Sequence, residues 1–133
     1  MSEITVTIEA EVNPTEDPKK VKTAIENLFT PFSTELLAED RGSLFILKVK
    51  GKEGVIKFYT LLRQERILNA ARRVLTKGVS SEGITFCLNK QAAYMKRVSF
   101  CDPIGESPLG PIRVKIETND PRTVIDWLAP RIG

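Results

Sequence analysis

The sequence predicts an α+β domain: a single mixed, mainly antiparallel sheet with helices packed on one face. Three observations carry that prediction. Segments with a two-residue apolar period alternate with segments of 3.6-residue period along the whole 133-residue chain. A strand runs into an Asp-Pro helix start near each end, at Asp17-Pro18 and at Asp120-Pro121. Finally, 41% hydrophobic content suits one domain, residues 1–133, able to bury a core of its own.

The elements follow in order. Ile4, Val6, Ile8, Ala10 and Val12 alternate with Glu3, Thr5, Thr7, Glu9 and Glu11, the period of a strand with one dry and one wet face. Residues 13–17 form a turn, Asp17 caps, and Pro18 begins a helix to about Thr30 that buries Val21, Ala24, Ile25 and Leu28. Leu36–Glu39 and Leu44–Lys50 read as a hairpin around Gly42, ended by Gly51 and Gly54. From Lys52 two helices follow with a break near Gln64-Glu65, the second running from about Glu65 to Lys77 and closed by Gly78. Ile84, Phe86 and Leu88 form a strand, residues 89–94 an irregular stretch, and Val98 and Phe100 a further strand. Residues 102–111 hold three prolines and two glycines, hence a loop of restricted backbone. Ile112, Val114 and Ile116 mark the last strand, and a short helix runs from Pro121 through Trp127. By alternation Phe45, Phe86 and Phe100 point inward, while Glu3, Glu9, Glu11, Lys48, Lys50, Arg113, Lys115 and Glu117 point outward.

Composition excludes several chemistries. The chain has no histidine, which removes the usual general base near neutral pH and every triad that uses imidazole. Cys87 and Cys101 lie in apolar strand-like surroundings without neighbouring Cys or His, so they read as buried, reduced thiols and as no metal site. No cofactor motif is present. No apolar run reaches the roughly 18–20 residues of a membrane span, and the first residues alternate instead of forming a signal peptide, so a soluble, cytoplasmic protein is expected.

Charge is unevenly spread. Residues 55–101 carry nine basic and two acidic side chains, while both flanks are net acidic. On the helix ending at Lys77, Arg66, Arg73 and Lys77 fall within about 40° of one another at 100° per residue, with Arg72 nearer the apolar boundary. Such a ridge suits phosphate contact, and it also suits plain solvation of a surface helix. The outward sheet positions mix signs and lack the aromatics on which single-stranded bases stack.

Four segments carry a family resemblance: LRQERILNAAR at 62–72, LNKQAA at 88–93, SPLGPI at 107–112 and DWLAP at 126–130. Together they resemble the blocks of the UPF0201 family, a set of small archaeal proteins, across essentially the whole chain. The resemblance implies a fold similar to the fifth large-subunit ribosomal protein, a homodimer, and no assigned biochemical activity. It supplies no catalytic residues.

Two functions are therefore weighed. The favoured one is a non-catalytic homodimeric interaction domain, given the absence of a catalytic constellation. The alternative is RNA binding or ribosome association by phosphate-backbone contact through Arg63, Arg66, Arg72, Arg73, Lys77, Lys90, Lys96 and Arg97. Nothing in the sequence reads as a sequence-specific DNA reader or a membrane element. Asn89, Lys90 and Gln91 offer a small pocket, with a bulge or turn whose amides satisfy local backbone as the favoured reading. An enzyme would have to use Lys90, Tyr94, Asp102 or Asp126, which no spacing pairs for acid-base work. Trp127 reads as a core or dimer-interface anchor.

Overall fold

A computed structural model describes residues 4–101 and 110–132. Its elements are β1 (Thr5–Val12), α1 (Pro18–Leu28), β2 (Ser33–Ala38), β3 (Ser43–Lys50), α2 (Gly51–Gln64), α3 (Leu68–Lys77), β4 (Val79–Ser80), β5 (Gly83–Leu88), α4 (Lys90–Tyr94), β6 (Phe100–Cys101), β7 (Ile112–Glu117) and α5 (Pro121–Leu128). The seven strands form one sheet in the order β2-β3-β1-β7-β5-β4, with β6 pairing β5 beside β4. Every pairing among the described residues is antiparallel, so the sheet is α+β as expected but not mixed.

The alternation read from the sequence sets the layers. Val6, Ile8, Ala10 and Val12 are buried while Thr5, Thr7 and Glu9 are half-buried and Glu11 is exposed. The in-register partners of Val6, Ile8 and Ala10, such as Leu47 and Val114 beside Ile8, are buried too. Against this face pack Val21, Ile25 and Leu28 of α1, Val55, Phe58 and Leu62 of α2, Ala71 and Leu75 of α3, and Val124 and Leu128 of α5. The helix layer and the inner sheet face thus share one core. At its centre Phe58 stacks on Phe29 and Phe86 at ring centroid distances of 5.4 and 5.6 Å. Phe45 and Phe86 are buried and Phe100 packs edge-on against Phe58, which places all three on the inner side as the alternation requires.

Both Asp-Pro junctions form as expected. Asp17 accepts a hydrogen bond from the Lys19 N–H at 2.9 Å and Asp120 one from the Thr123 N–H at 3.2 Å, and a proline opens each helix. Gly42 turns the β2–β3 hairpin with φ of +89°, where an added Cβ would lie 2.0 Å from the Val12 carbonyl oxygen.

Several local expectations are corrected. The first hairpin strand starts at Ser33, not Leu36, because β2 pairs with β3 from Ser33 against Lys48. The second helix of the central pair starts at Leu68, not Glu65. There the Glu65 carboxylate accepts the Val98 N–H at 2.9 Å, and Arg66 adopts φ of +58°, so the helical path is broken over three residues. Residues 89–94 are not a bulge but a short helix, α4, capped by Asn89, whose Oδ1 accepts the Ala92 N–H at 2.9 Å. Val98 precedes strand β6, which is only Phe100 and Cys101. The two-residue strand β4 went unforeseen, being too short to show a period. Glu3 and most of the proline-rich loop, residues 102–109, lie outside the described residues.

Candidate nucleic-acid interface

The basic segment does not act as one surface. Arg63 is half-buried and lies over the Tyr59 ring, 3.5 Å from its centroid. Its Nη1 donates to the carbonyls of Tyr59 and Leu128, each at 3.1 Å, and its Nη2 to that of Trp127 at 3.2 Å. The donations to Leu128 and Trp127 satisfy carbonyls left open at the C-terminal end of α5, and the one to Tyr59 stays within α2. Arg63 is therefore a clasp between α2 and α5, not a phosphate contact.

Lys90 is corrected more sharply. The expected surface cation is only 5% exposed, its ammonium donating to the Glu11 carbonyl and to Glu16 Oε1 at 3.0 Å. Burial works against ionisation of Glu16. Hydrogen bonds from the Asn13 backbone, the Lys90 ammonium and the Asn13 amide outweigh it and hold the carboxyl below its ordinary value of 4.5. The segment weighed as a pocket, and favoured as a bulge or turn with its amides on local backbone, is a capped helix: Asn89 does serve the backbone, while Lys90 turns inward and Gln91 is exposed. Lys96, with φ of +61°, and Arg97 are exposed just beyond α4. Arg66, in the link between α2 and α3, does not share the helical ridge expected of it. Of the residues an enzyme would need, Lys90 is committed to Glu16, Tyr94 is exposed and Asp126 pairs with Arg72, while Asp102 lies outside the described residues.

What remains is concentrated on α3. Asn69, Arg73, Thr76 and Lys77 lie along its outer face, opposite the buried Leu68, Ala71 and Leu75. With Arg72 and Arg131 they line a groove of about 540 Å³. A second groove, of about 610 Å³, adjoins it, sharing Arg72, Thr76 and Arg131 and adding Arg122 and the Asp120-Pro121 start of α5. Arg72 stands in the wall between them, fixed by a 2.8 Å ion pair to Asp126 and a 3.1 Å hydrogen bond to the Ala129 carbonyl. Arg73, Lys77, Arg122 and Arg131 are exposed, and among the described residues no carboxylate pairs with any of them. Arg122 and Arg131 escaped the sequence reading because they lie outside the basic segment, in the acidic C-terminal flank. The signal that would have found them is the Asp-Pro helix start, which fixes where Arg122 emerges.

The outer sheet face is less ionic than expected. Glu9, Glu11, Lys48, Lys50, Arg113, Lys115 and Glu117 do occupy it, with Arg113 3.9 Å from Glu11 and Lys115 paired to Glu82. That pairing lowers the Glu82 carboxyl and raises the Lys115 ammonium from their ordinary values. The register also places Leu37, Leu44 and Ile46 there, at the β2–β3 corner, since Glu11 pairs with Leu44 and Glu9 with Ile46. Cys87 and Cys101 sit directly opposite each other on the same face. Cys87 is buried as expected and Cys101 half-buried. Trp127 is half-buried, stacked on Tyr59 at 5.0 Å with the Lys52 ammonium 5.1 Å over its ring, so the intramolecular half of its expectation is met. No helix among the described residues is long and apolar enough to cross a membrane.

Comparison with known proteins agrees with this frame. A family model described as RNA binding matches residues 5–118. The UPF0201 protein of Metallosphaera sedula is 43% identical over 131 residues, covering 98% of this chain and 90% of its own. That of Sulfurisphaera tokodaii is 47% identical over 129 residues, covering 95% and 87%. The crystal structure of a UPF0201 protein from Methanococcus jannaschii superposes with a TM-score of 0.81 at 37% identity, over 97% of this chain and 95% of that one. Sequence identity, superposition and near-complete coverage agree, and the chain belongs to the UPF0201 family.

Proposed function

We propose that the protein binds RNA through its sugar-phosphate backbone, with the paired grooves along α3 and α5 as the contact surface. One observation carries this: Arg73, Lys77, Arg122 and Arg131 converge on adjoining grooves, none of them ion-paired to a described carboxylate although Asp120 lines the second groove, while Arg72 is held between them by its pair with Asp126. The family model's description supports the same reading. Guanidinium and ammonium groups on a helix face neutralise phosphates without reading sequence, so affinity depends steeply on salt. Ribosome association is the same chemistry with ribosomal RNA as the ligand. The test is fluorescence anisotropy with a structured RNA across a salt series. Saturable binding is expected at low salt, with the Arg73→Glu/Lys77→Glu variant at least about tenfold weaker. Absence of saturable binding, or equal binding by the variant, refutes the reading.

Self-association is a second reading with an observation of its own. Among the described residues β2 ends the sheet with one edge unpaired, and its Leu36 and Leu37 are 48% and 43% exposed, beside Phe32 at 65%. An exposed apolar edge strand is a template for another strand, and a second copy of β2 is the symmetric occupant. Light scattering should return twice the 14.9 kDa chain mass, and Leu36→Lys/Leu37→Lys should return the single mass. A wild-type protein that stays at the single mass when concentrated rules this out.

A further inference from the structure

The two basic grooves continue onto the outer sheet face. Lys77, at the end of α3, lines both the α3 groove and a third depression, of about 650 Å³, where Arg113, Lys115, Thr7 and Thr85 stand with one carboxylate, Glu9. Basic side chains therefore run around one edge of the sheet, from Arg122 and Arg131 through Arg73 and Lys77 to Arg113, which lies 3.9 Å from Glu11, and Lys115, which pairs with Glu82. Between its two halves lies the β4–β5 hairpin, whose Val79, Ser80, Ser81 and Glu82 are all exposed.

Resting on the RNA reading above, we infer that the ligand is double-helical RNA straddling this hairpin, the α3 groove holding phosphates of one strand and the sheet-face depression those of the other. Two features select a duplex. Single-stranded RNA is held largely by stacking of bases on exposed rings. Here Phe86 and Phe100, which reach the floor of the third depression, are committed to the cluster with Phe58, and no aromatic side chain lines the α3 and α5 grooves. A-form RNA also has a wide, shallow minor groove lined with 2′-hydroxyls. The hairpin offers exposed hydroxyl groups to such a groove from Ser80 and Ser81 at its tip, and Thr76 adds one from the last turn of α3 beside it. Duplex DNA lacks the 2′-hydroxyls, and its minor groove is only about 6 Å wide.

Glu82 makes the inference testable in both directions. Its carboxylate pairs with Lys115 and withholds that cation from a phosphate. The experiment is anisotropy with a blunt RNA duplex of roughly 16 base pairs, the matching single strand and the matching DNA duplex. The RNA duplex is expected to bind more tightly than either. Arg113→Glu should weaken it about tenfold and reduce the salt slope by about one, although Arg113 lies outside the α3 groove. Glu82→Gln, in an exposed turn that tolerates the change, should tighten it several-fold. Single strand binding as well as duplex, or duplex affinity unmoved by both Arg113→Glu and Glu82→Gln, overturns the straddling model while leaving the α3 groove intact. Binding of none of the RNAs overturns both readings together.

Discussion

Lys90 shows how one residue can reverse a surface reading. In sequence it is one more cation of a basic segment, but it is only 5% exposed. A buried ammonium needs partners on every side, and the Glu11 carbonyl and Glu16 carboxylate supply them across 79 and 74 residues of chain. The Glu16 carboxyl also holds the turn after β1 by accepting both the Asn13 N–H and its side-chain amide. Because its value in the fold is below the ordinary 4.5, its stabilisation is complete above that value and is lost as pH falls through the lower one. Melting temperature should therefore drop on acidification below about pH 4.5, and Glu16→Gln should be less stable at neutral pH with a shallower acid slope. A variant whose slope matches that of the wild type counts against the linkage. Lys90→Met, which removes the charge and keeps the stem, should leave nucleic-acid binding unchanged.

At the scale of elements, the clearest successes are the junctions where local chemistry suffices. Asp17-Pro18 and Asp120-Pro121 start helices because a carboxylate accepts an open N–H and proline presets the first turn, whatever surrounds them. The failures fall where a distant partner intervenes. The α2–α3 link is pinned by Glu65 reaching the Val98 N–H, 33 residues away, which no helical period reveals. Arg63 similarly joins α2 to the end of α5 through the Leu128 and Trp127 carbonyls. Replacing it by alanine removes charge-assisted hydrogen bonds and should cost about 2 kcal/mol in denaturant unfolding. Arg63→Lys should recover only part, since an ammonium lacks the planar fork. Full stability of Arg63→Ala would show that water replaces the clasp without cost.

Across the whole molecule, one sheet and one helix layer share a core centred on Phe58, which leads us to expect a single cooperative unfolding transition. Phe58→Ala should destabilise that transition by about 3–5 kcal/mol. Separate transitions by fluorescence and circular dichroism would instead divide the chain into two units. The interface proposed here exists only at this scale, because Arg122 and Arg131 reach Arg73 and Lys77 through the packing of α5 beside α3. The sequence alone determined the α+β class, the inward and outward faces of the strands, the two capped junctions and the family, since period, capping and motif blocks are local properties. Tertiary structure alone decided which cations stay at the surface. Burial of Lys90, the clasping of Arg63 and the gathering of five cations around α3 and α5 depend on contacts between residues dozens of positions apart, and local pattern carries no information about those.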